Sequence, residues 1–167
     1  MPNENPVGLD PLLEILKTHG REEAEVLAKE LGRPVAEVKA AIEKYEADGV
    51  IRGYQAVLNP ELADDGCVRA VIELRIRPER EGGFDRIASR ICKFEHVESM
   101  FLMSGGYDLL LFVKGKSLQE LANFVASRLA TLDGVLATAT HFMLKSYKEC
   151  GILLEGGKHD DRLQVSP

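Results

Sequence analysis

The sequence predicts an α+β chain in two parts: a first half of three helices and a second half in the order β-α-β-β-α-β. Three observations carry that reading. Leucines recur at helical spacing in two early stretches that each end at a glycine, Leu9 to Leu16 before Gly20 and Leu27 to Leu31 before Gly32. Residues 68–77 alternate apolar and charged with a period of two, the mark of a strand with one face toward a core. Gly105-Gly106 separates two apolar runs, as a tight hairpin turn does.

Taken in order, Leu9, Leu12, Leu13 and Leu16 fall at i, i+3, i+4 and i+7, one buried stripe of a first helix. Ala24, Leu27, Ala28 and Leu31 give a second, and Val35, Val38, Ile42 and Tyr45 a third that closes at Asp48-Gly49. Pro34 suits the first turn of that third helix, where its missing N–H has no partner to lose. The short Gly-containing turn between the second and third helices is the connection a helix-turn-helix needs. Val50 to Leu58 reads as a linker strand, running into Asn59-Pro60 and the polar segment Glu61 to Gly66, where the domain boundary is expected. This divides the chain into a helix-turn-helix domain over 1–50, a linker strand and hinge over 51–66, a second domain over 67–148 and a tail over 149–167.

Within the second domain, Val68, Ala70, Ile72, Leu74 and Ile76 alternate with Arg69, Glu73, Arg75 and Arg77 in a first strand. Phe84, Ile87, Ala88 and Ile91 follow at helical spacing, then strands over Val97–Ser104 and Tyr107–Lys114. Ser117 three residues before Glu120 is a capping-box signal for a helix buried through Leu118, Leu121, Ala122, Val125 and Leu129. A last strand runs from Val135 to about Tyr147. That order is the ferredoxin-like arrangement, a four-stranded antiparallel sheet with both helices on one face. On the other face, Arg69, Val71 and Glu73 mix charge with apolar surface, which suits either a sheet-to-sheet dimer contact or plain solvation. Ile152–Leu154 is expected to add an edge strand.

Composition bounds the function. A chain of 167 residues, 45% hydrophobic and 29% charged, has room for one domain or two small ones and for a core. Its longest apolar run, Leu109 to Val113, is far from the roughly 18 residues a bilayer span requires. Met1 to Gly8 lacks a basic and apolar leader, so a cytoplasmic protein is expected. Cys67, Cys92 and Cys150 are an odd number without CxxC spacing, and are expected as buried or inert thiols. His19, His96, His141 and His159 show no ligand spacing, so neither a metal nor a cofactor is expected. No nucleophile with a nearby base, paired carboxylates or phosphate-cradling glycine loop appears; Gly105-Gly106 and Gly156-Gly157 lack the surrounding pattern. An enzyme is not expected, although a fold alone does not exclude one. With 21 Lys and Arg against 27 Asp and Glu the net charge is −6, so any nucleic-acid contact must rest on a local surface.

The chain resembles the Lrp/AsnC family of bacterial and archaeal transcriptional regulators over nearly its whole length. The carriers are Leu27-Ala28 with Leu31-Gly32, Gly49-Val50-Ile51 with Gly53-Tyr54, Gly105 with Tyr107-Asp108, and Gly134-Val135 followed by Thr138 and Thr140. The resemblance implies double-stranded DNA as a partner, an amino acid or related metabolite as effector, and homodimers that often assemble into rings of four, an octamer. The chain also departs from the pattern. Similar proteins open the third helix with a Ser or Thr cap and carry an Arg just before its Ile, where this chain has Pro34 and Ala41. Residues 1–60 hold seven cations against eleven Asp or Glu, a balance of −4.

Phosphate contacts require Lys, Arg, polar side chains or helix N-termini. The DNA-binding candidates are Arg33 at the turn, Lys39 and Lys44 on the third helix, and Arg52 at the linker; solvated charges are the plain alternative, given Glu37, Glu43 and Glu46 among them. Gly105, Tyr107, Asp108, Thr138 and Thr140 match the family's effector pocket, which lies between neighbouring dimers. The chemistry is apt, because glycines admit a ligand carboxylate to backbone N–H groups, an Asp accepts from an ammonium and Thr hydroxyls bond either. By itself, Ser104 to Asp108 reads first as a hairpin turn whose Asp bonds nearby backbone without any ligand; it is the resemblance that implies a site there. A metabolite-sensing module with weak or no sequence-specific DNA binding is the alternative to a DNA-binding regulator.

Overall fold

The computed structural model describes residues 9–59, 62–78 and 83–154; the tail beyond Leu154, with Gly156-Gly157, lies outside them, as do Met1–Gly8 and Pro60-Glu61. The chain forms two compact units, residues 1–57 and 58–167.

The first unit holds α1 (Pro11–Thr18), α2 (Ala24–Leu31) and α3 (Val35–Ala47). Asp10 starts α1 by accepting the Leu12 N–H at 2.9 Å, and Pro11 follows where no N–H is needed. Leu9 therefore lies ahead of the helix, 47% exposed, rather than in its buried stripe. Leu12, Leu16, Leu27, Ala28 and Val38 form the core of the three helices. Gly32 ends α2 at φ +63°, a left-handed conformation that glycine adopts without penalty. There the Arg33 N–H reaches back to the Ala28 carbonyl at 2.9 Å, the closure of a Schellman turn. Pro34 is itself the cap of α3, one position earlier than its first turn, and offers no side-chain acceptor. The linker strand expected over Val50–Leu58 is not formed: residues 52–59 belong to no sheet, since a strand requires a laddered neighbour and none pairs with them among the described residues.

The second unit runs β1 (Val68–Ile76), α4 (Asp85–Ile91), β2 (Val97–Leu102), β3 (Leu109–Gly115), α5 (Leu118–Phe124) and β4 (Val135–Phe142). The sheet order is β2-β3-β1-β4, all antiparallel. This is the expected ferredoxin-like topology. Alternation along β1 and β3 sends Ala70, Ile72, Leu74, Leu109, Leu111 and Val113 to the face covered by Ile87, Ile91, Leu121, Phe124 and Leu129. Gly115 lets α5 approach closely: a Cβ there would meet the Leu121 side chain at 2.9 Å. Ser117 accepts the Glu120 N–H at 3.1 Å, and Glu120 returns to accept the Lys116 N–H at 2.8 Å. Leu118 (54% exposed) and Ala122 stand outside the buried stripe. Beyond Phe124, α5 continues as a π-helical turn, Val125–Leu129, in which the Ala130 N–H bonds the Val125 carbonyl at 2.8 Å; the wider turn brings Leu129, five residues after Phe124, onto the buried face.

Three further expectations are corrected. The hairpin is closed by a six-residue loop over 103–108, with the Met103 N–H donating to the Asp108 carbonyl at 2.8 Å, and not by a two-glycine turn. β4 stops at Phe142, and β5 (Lys148–Glu149) pairs with β6 (Ile152–Leu153) as a separate two-stranded piece rather than an added edge. Cys92 and Cys150 are exposed free thiols and Cys67 is half-buried. Among the described residues no helix is long and apolar enough to cross a membrane.

Candidate functional site

The helix-turn-helix is α2, the Gly32 turn and α3, and its polar contacts begin at Asp10. That carboxylate caps α1, accepts the Tyr45 hydroxyl of α3 at 2.6 Å and pairs with Arg33 at 3.4 Å. Its pKa is lowered, first by the Tyr45 hydrogen bond, against a desolvation effect that raises it. Tyr45, in turn, is raised by donating to that carboxylate. In the sequence Asp10 signals only a helix start; its partners lie 23 and 35 residues away, beyond the reach of local pattern.

All four candidate cations of this unit are exposed or half-exposed, and each has a neighbour. Arg33 is tied to Asp10. Lys39 of α3 donates to Glu25 of α2 at 2.8 Å, which raises the Lys39 pKa and lowers that of Glu25. Lys44 pairs with Asp48 one turn on. The Arg52 guanidinium lies over Gly49, so that a Cβ at Gly49 would meet it at 3.1 Å. Exposed pairs of this kind are weak and exchange partners readily. Glu37 and Glu43 are also exposed on α3. Tyr54 donates to Glu46 at 2.9 Å and rests against Gly20, holding the start of the linker against this unit.

In the second unit, Asp108 occupies the end of the 103–108 loop. Its N–H donates to the Leu74 carbonyl at 2.9 Å, and its Oδ2 accepts the Ile76 N–H at 2.7 Å. It is half-buried, and one of its oxygens already serves the backbone. Thr138 stands opposite Leu74, and Thr140 opposite Ile72, on the other side of β1; both are half-buried and share the helix-covered face. Asp108 and Thr138 thus flank the same stretch of β1, with Thr140 one pair further along. Gly105, at φ +140°, and Gly106 have open space where a Cβ would stand. Tyr107 is half-buried beside them. Leu102, Met103 and Leu136 are exposed at this end of the sheet, at 60%, 38% and 59%.

A helix-turn-helix unit followed in the chain by a ferredoxin-like unit is the build of a transcriptional regulator. Residues 69–153 match the Lrp/AsnC ligand binding domain. An uncharacterized HTH-type transcriptional regulator of Bacillus subtilis, YugG, is 45% identical over 93% of this chain and 95% of its own. Two solved structures are similar at 26% identity. One is a transcriptional regulator of Neisseria meningitidis in complex with L-Met, with TM-score 0.66 over 85% of this chain and 94% of that one. The other is the feast or famine regulatory protein of M. tuberculosis complexed with L-methionine, with TM-score 0.65 over 83% and 90%. The chain belongs to the Lrp/AsnC family. Its members are transcriptional regulators and not enzymes.

Proposed function

We propose that the protein is a DNA-binding transcriptional regulator whose state is set by an amino acid or related small metabolite held at the 103–108 loop. The carrying observation is that Asp108 and Thr138 flank the Leu74–Ile76 stretch of β1 beside the open Gly105-Gly106 loop. Gly105 admits a ligand carboxylate to the loop backbone, the free Oδ1 of Asp108 accepts from an ammonium, and Tyr107, Thr138 and Thr140 bound the site. Two relatives were solved with L-methionine, which supports this ligand class. The exposed apolar residues around the loop, Leu102, Met103 and Leu136, fit a contact with another copy that completes the pocket.

Self-association follows from the open face of the sheet. Val71, Leu110 and Phe112 are half-buried there, and Phe101, 51% exposed, packs edge-on to Phe112. Covering such a patch favours a homodimer, and dimers meeting at the loops would build the octamer. A ligand shifts that assembly only by its difference in affinity between states. Arg33, Lys39, Lys44 and Arg52 are the cations offered to double-stranded DNA. The alternative of a sensing module with weak DNA binding is favoured by one observation: three of these four cations already pair with Asp10, Glu25 and Asp48.

Calorimetry with the twenty amino acids against wild type, Asp108→Asn and Thr138→Val tests the ligand half. Asn retains an acceptor for the Ile76 N–H while removing the charge, so binding lost in Asp108→Asn with the fold intact supports the ammonium contact. Equal binding by all three proteins removes these residues from the site.

A further inference from the structure

On the helical face of the second unit, the end of α4 and the π-helical turn border an open groove of about 530 Å³. Three cations rim it, Arg90, Lys93 and Arg128, and among the described residues no carboxylate lines it. All three are exposed, and among the described residues none of them has an acidic partner. In a chain of net charge −6, Lys39, Lys44, Arg69 and Lys114 are each paired; this cluster is not. Like charges gathered without a counter-ion repel one another, and an anion between them relieves that cost.

The rest of the groove has different chemistry. Phe94, half-buried and edge-on to Phe124 with ring centroids 5.4 Å apart, and Leu132 supply an apolar wall. Ser127 and Thr131 donate their hydroxyl hydrogens to the carbonyls of Asn123 and Ser127, at 2.6 and 2.9 Å. Their remaining lone pairs are acceptors, suited to hydroxyl or amino donors and not to an anion. The π-helical turn presents Ser127 and Arg128 to this groove, and such turns are rare and concentrated at functional sites.

We propose that this groove binds a phosphorylated small molecule of nucleotide size, with its phosphates between Arg90, Lys93 and Arg128, its apolar face on Phe94 and Leu132, and its hydroxyl or amino donors toward Ser127 and Thr131. The volume falls within the roughly 300–1,000 Å³ of small-molecule sites. Guanidinium groups match phosphate oxygens in a fork, whereas Lys93 adds a point charge. A DNA backbone carries the same phosphate chemistry on a convex surface; the concave shape and apolar wall favour the small ligand.

The test is calorimetry on the full chain at low salt with ATP, AMP and inorganic pyrophosphate, using wild type and the double variant Arg90→Gln/Arg128→Gln. We expect saturable ATP binding with Kd below about 1 mM, weaker binding of pyrophosphate, which lacks an apolar part, and a loss of about tenfold or more for ATP in the variant. Wild-type amide NMR provides a readout independent of the variant's folding, with ATP shifting the signals of Ser127 and Thr131. Absence of saturable binding, equal ATP affinity in a folded variant, or pyrophosphate binding as tightly as ATP overturns the proposal. A variant that loses duplex DNA affinity while wild type binds no nucleotide overturns it too, and assigns the cations to DNA phosphates.

Discussion

Replacing Asp10 with Ala tests how the helix-turn-helix unit is held together. The carboxylate performs three tasks at once: it caps α1 through the Leu12 N–H, accepts the Tyr45 hydroxyl at 2.6 Å and pairs with Arg33 at 3.4 Å. Losing the cap costs about 1 kcal/mol. Losing a charged acceptor from the half-buried Tyr45 hydroxyl costs about 1.5–3 kcal/mol, and the long Arg33 pair adds little. The sum, about 2.5–4 kcal/mol, is severe for a unit whose core is Leu12, Leu16, Leu27, Ala28 and Val38. Hydrogen exchange resolved by peptide is the assay, because the chain has two units and one melting curve would merge them. Protection should fall in α1 and α3 and remain unchanged in β1 and β3. The sign of the pH dependence follows from a carboxyl whose folded pKa is lowered from 3.8. Its contribution is present above the unfolded value and is lost as pH falls through the folded one. Wild type should therefore lose protection of α1 and α3 below about pH 4, and Asp10→Asn, which retains a cap without a titrating group, should lose that step. Unchanged protection in Asp10→Ala would refute the reasoning.

Other expectations concern the remaining elements. Asp108→Ala leaves the Ile76 N–H without its acceptor and should destabilise the second unit by about 1–3 kcal/mol in urea titrations, with Asp108→Asn close to wild type. Gly115→Ala drives a Cβ against Leu121 and should cost about 1–3 kcal/mol in the same assay, while Gly106→Ala, with open space around it, should be nearly neutral. Phe112→Asp on the open sheet face should reduce the oligomer measured by light scattering, and an unchanged mass would place the interface elsewhere. Lys39→Ala with Lys44→Ala should lower the log-log salt slope of DNA binding by about 1.8 if each meets one phosphate.

Topology was legible in the sequence because it depends on periodicity. The stripes of α1 to α3 and the alternation along β1 lie within single elements, and the β-α-β-β-α-β order follows from them. Features that depend on distant partners were not legible. Asp10 reads locally as a cap, and only the fold brings Tyr45 and Arg33 to it. Asp108 reads as part of a turn, yet its carboxylate is committed to the Ile76 N–H of a strand 32 residues earlier. The two glycines suggested a tight turn, whereas the Met103–Asp108 backbone bond sets a six-residue loop. The linker strand failed for a related reason: Val50 to Leu58 has strand-like composition, but a ladder requires a neighbour, and none pairs with it among the described residues. The π-helical turn had no signal at all, since Val125 and Leu129 satisfy a plain helical stripe.

The most direct test of the central claim is one titration: affinity for the DNA upstream of the protein's own gene, at fixed moderate salt, with and without the amino acid identified by calorimetry. The account predicts measurable binding that the amino acid shifts by about 5- to 150-fold, and a Thr138→Val protein that retains the binding and loses the shift. No binding even at low salt, or binding that the amino acid leaves unmoved, would contradict it.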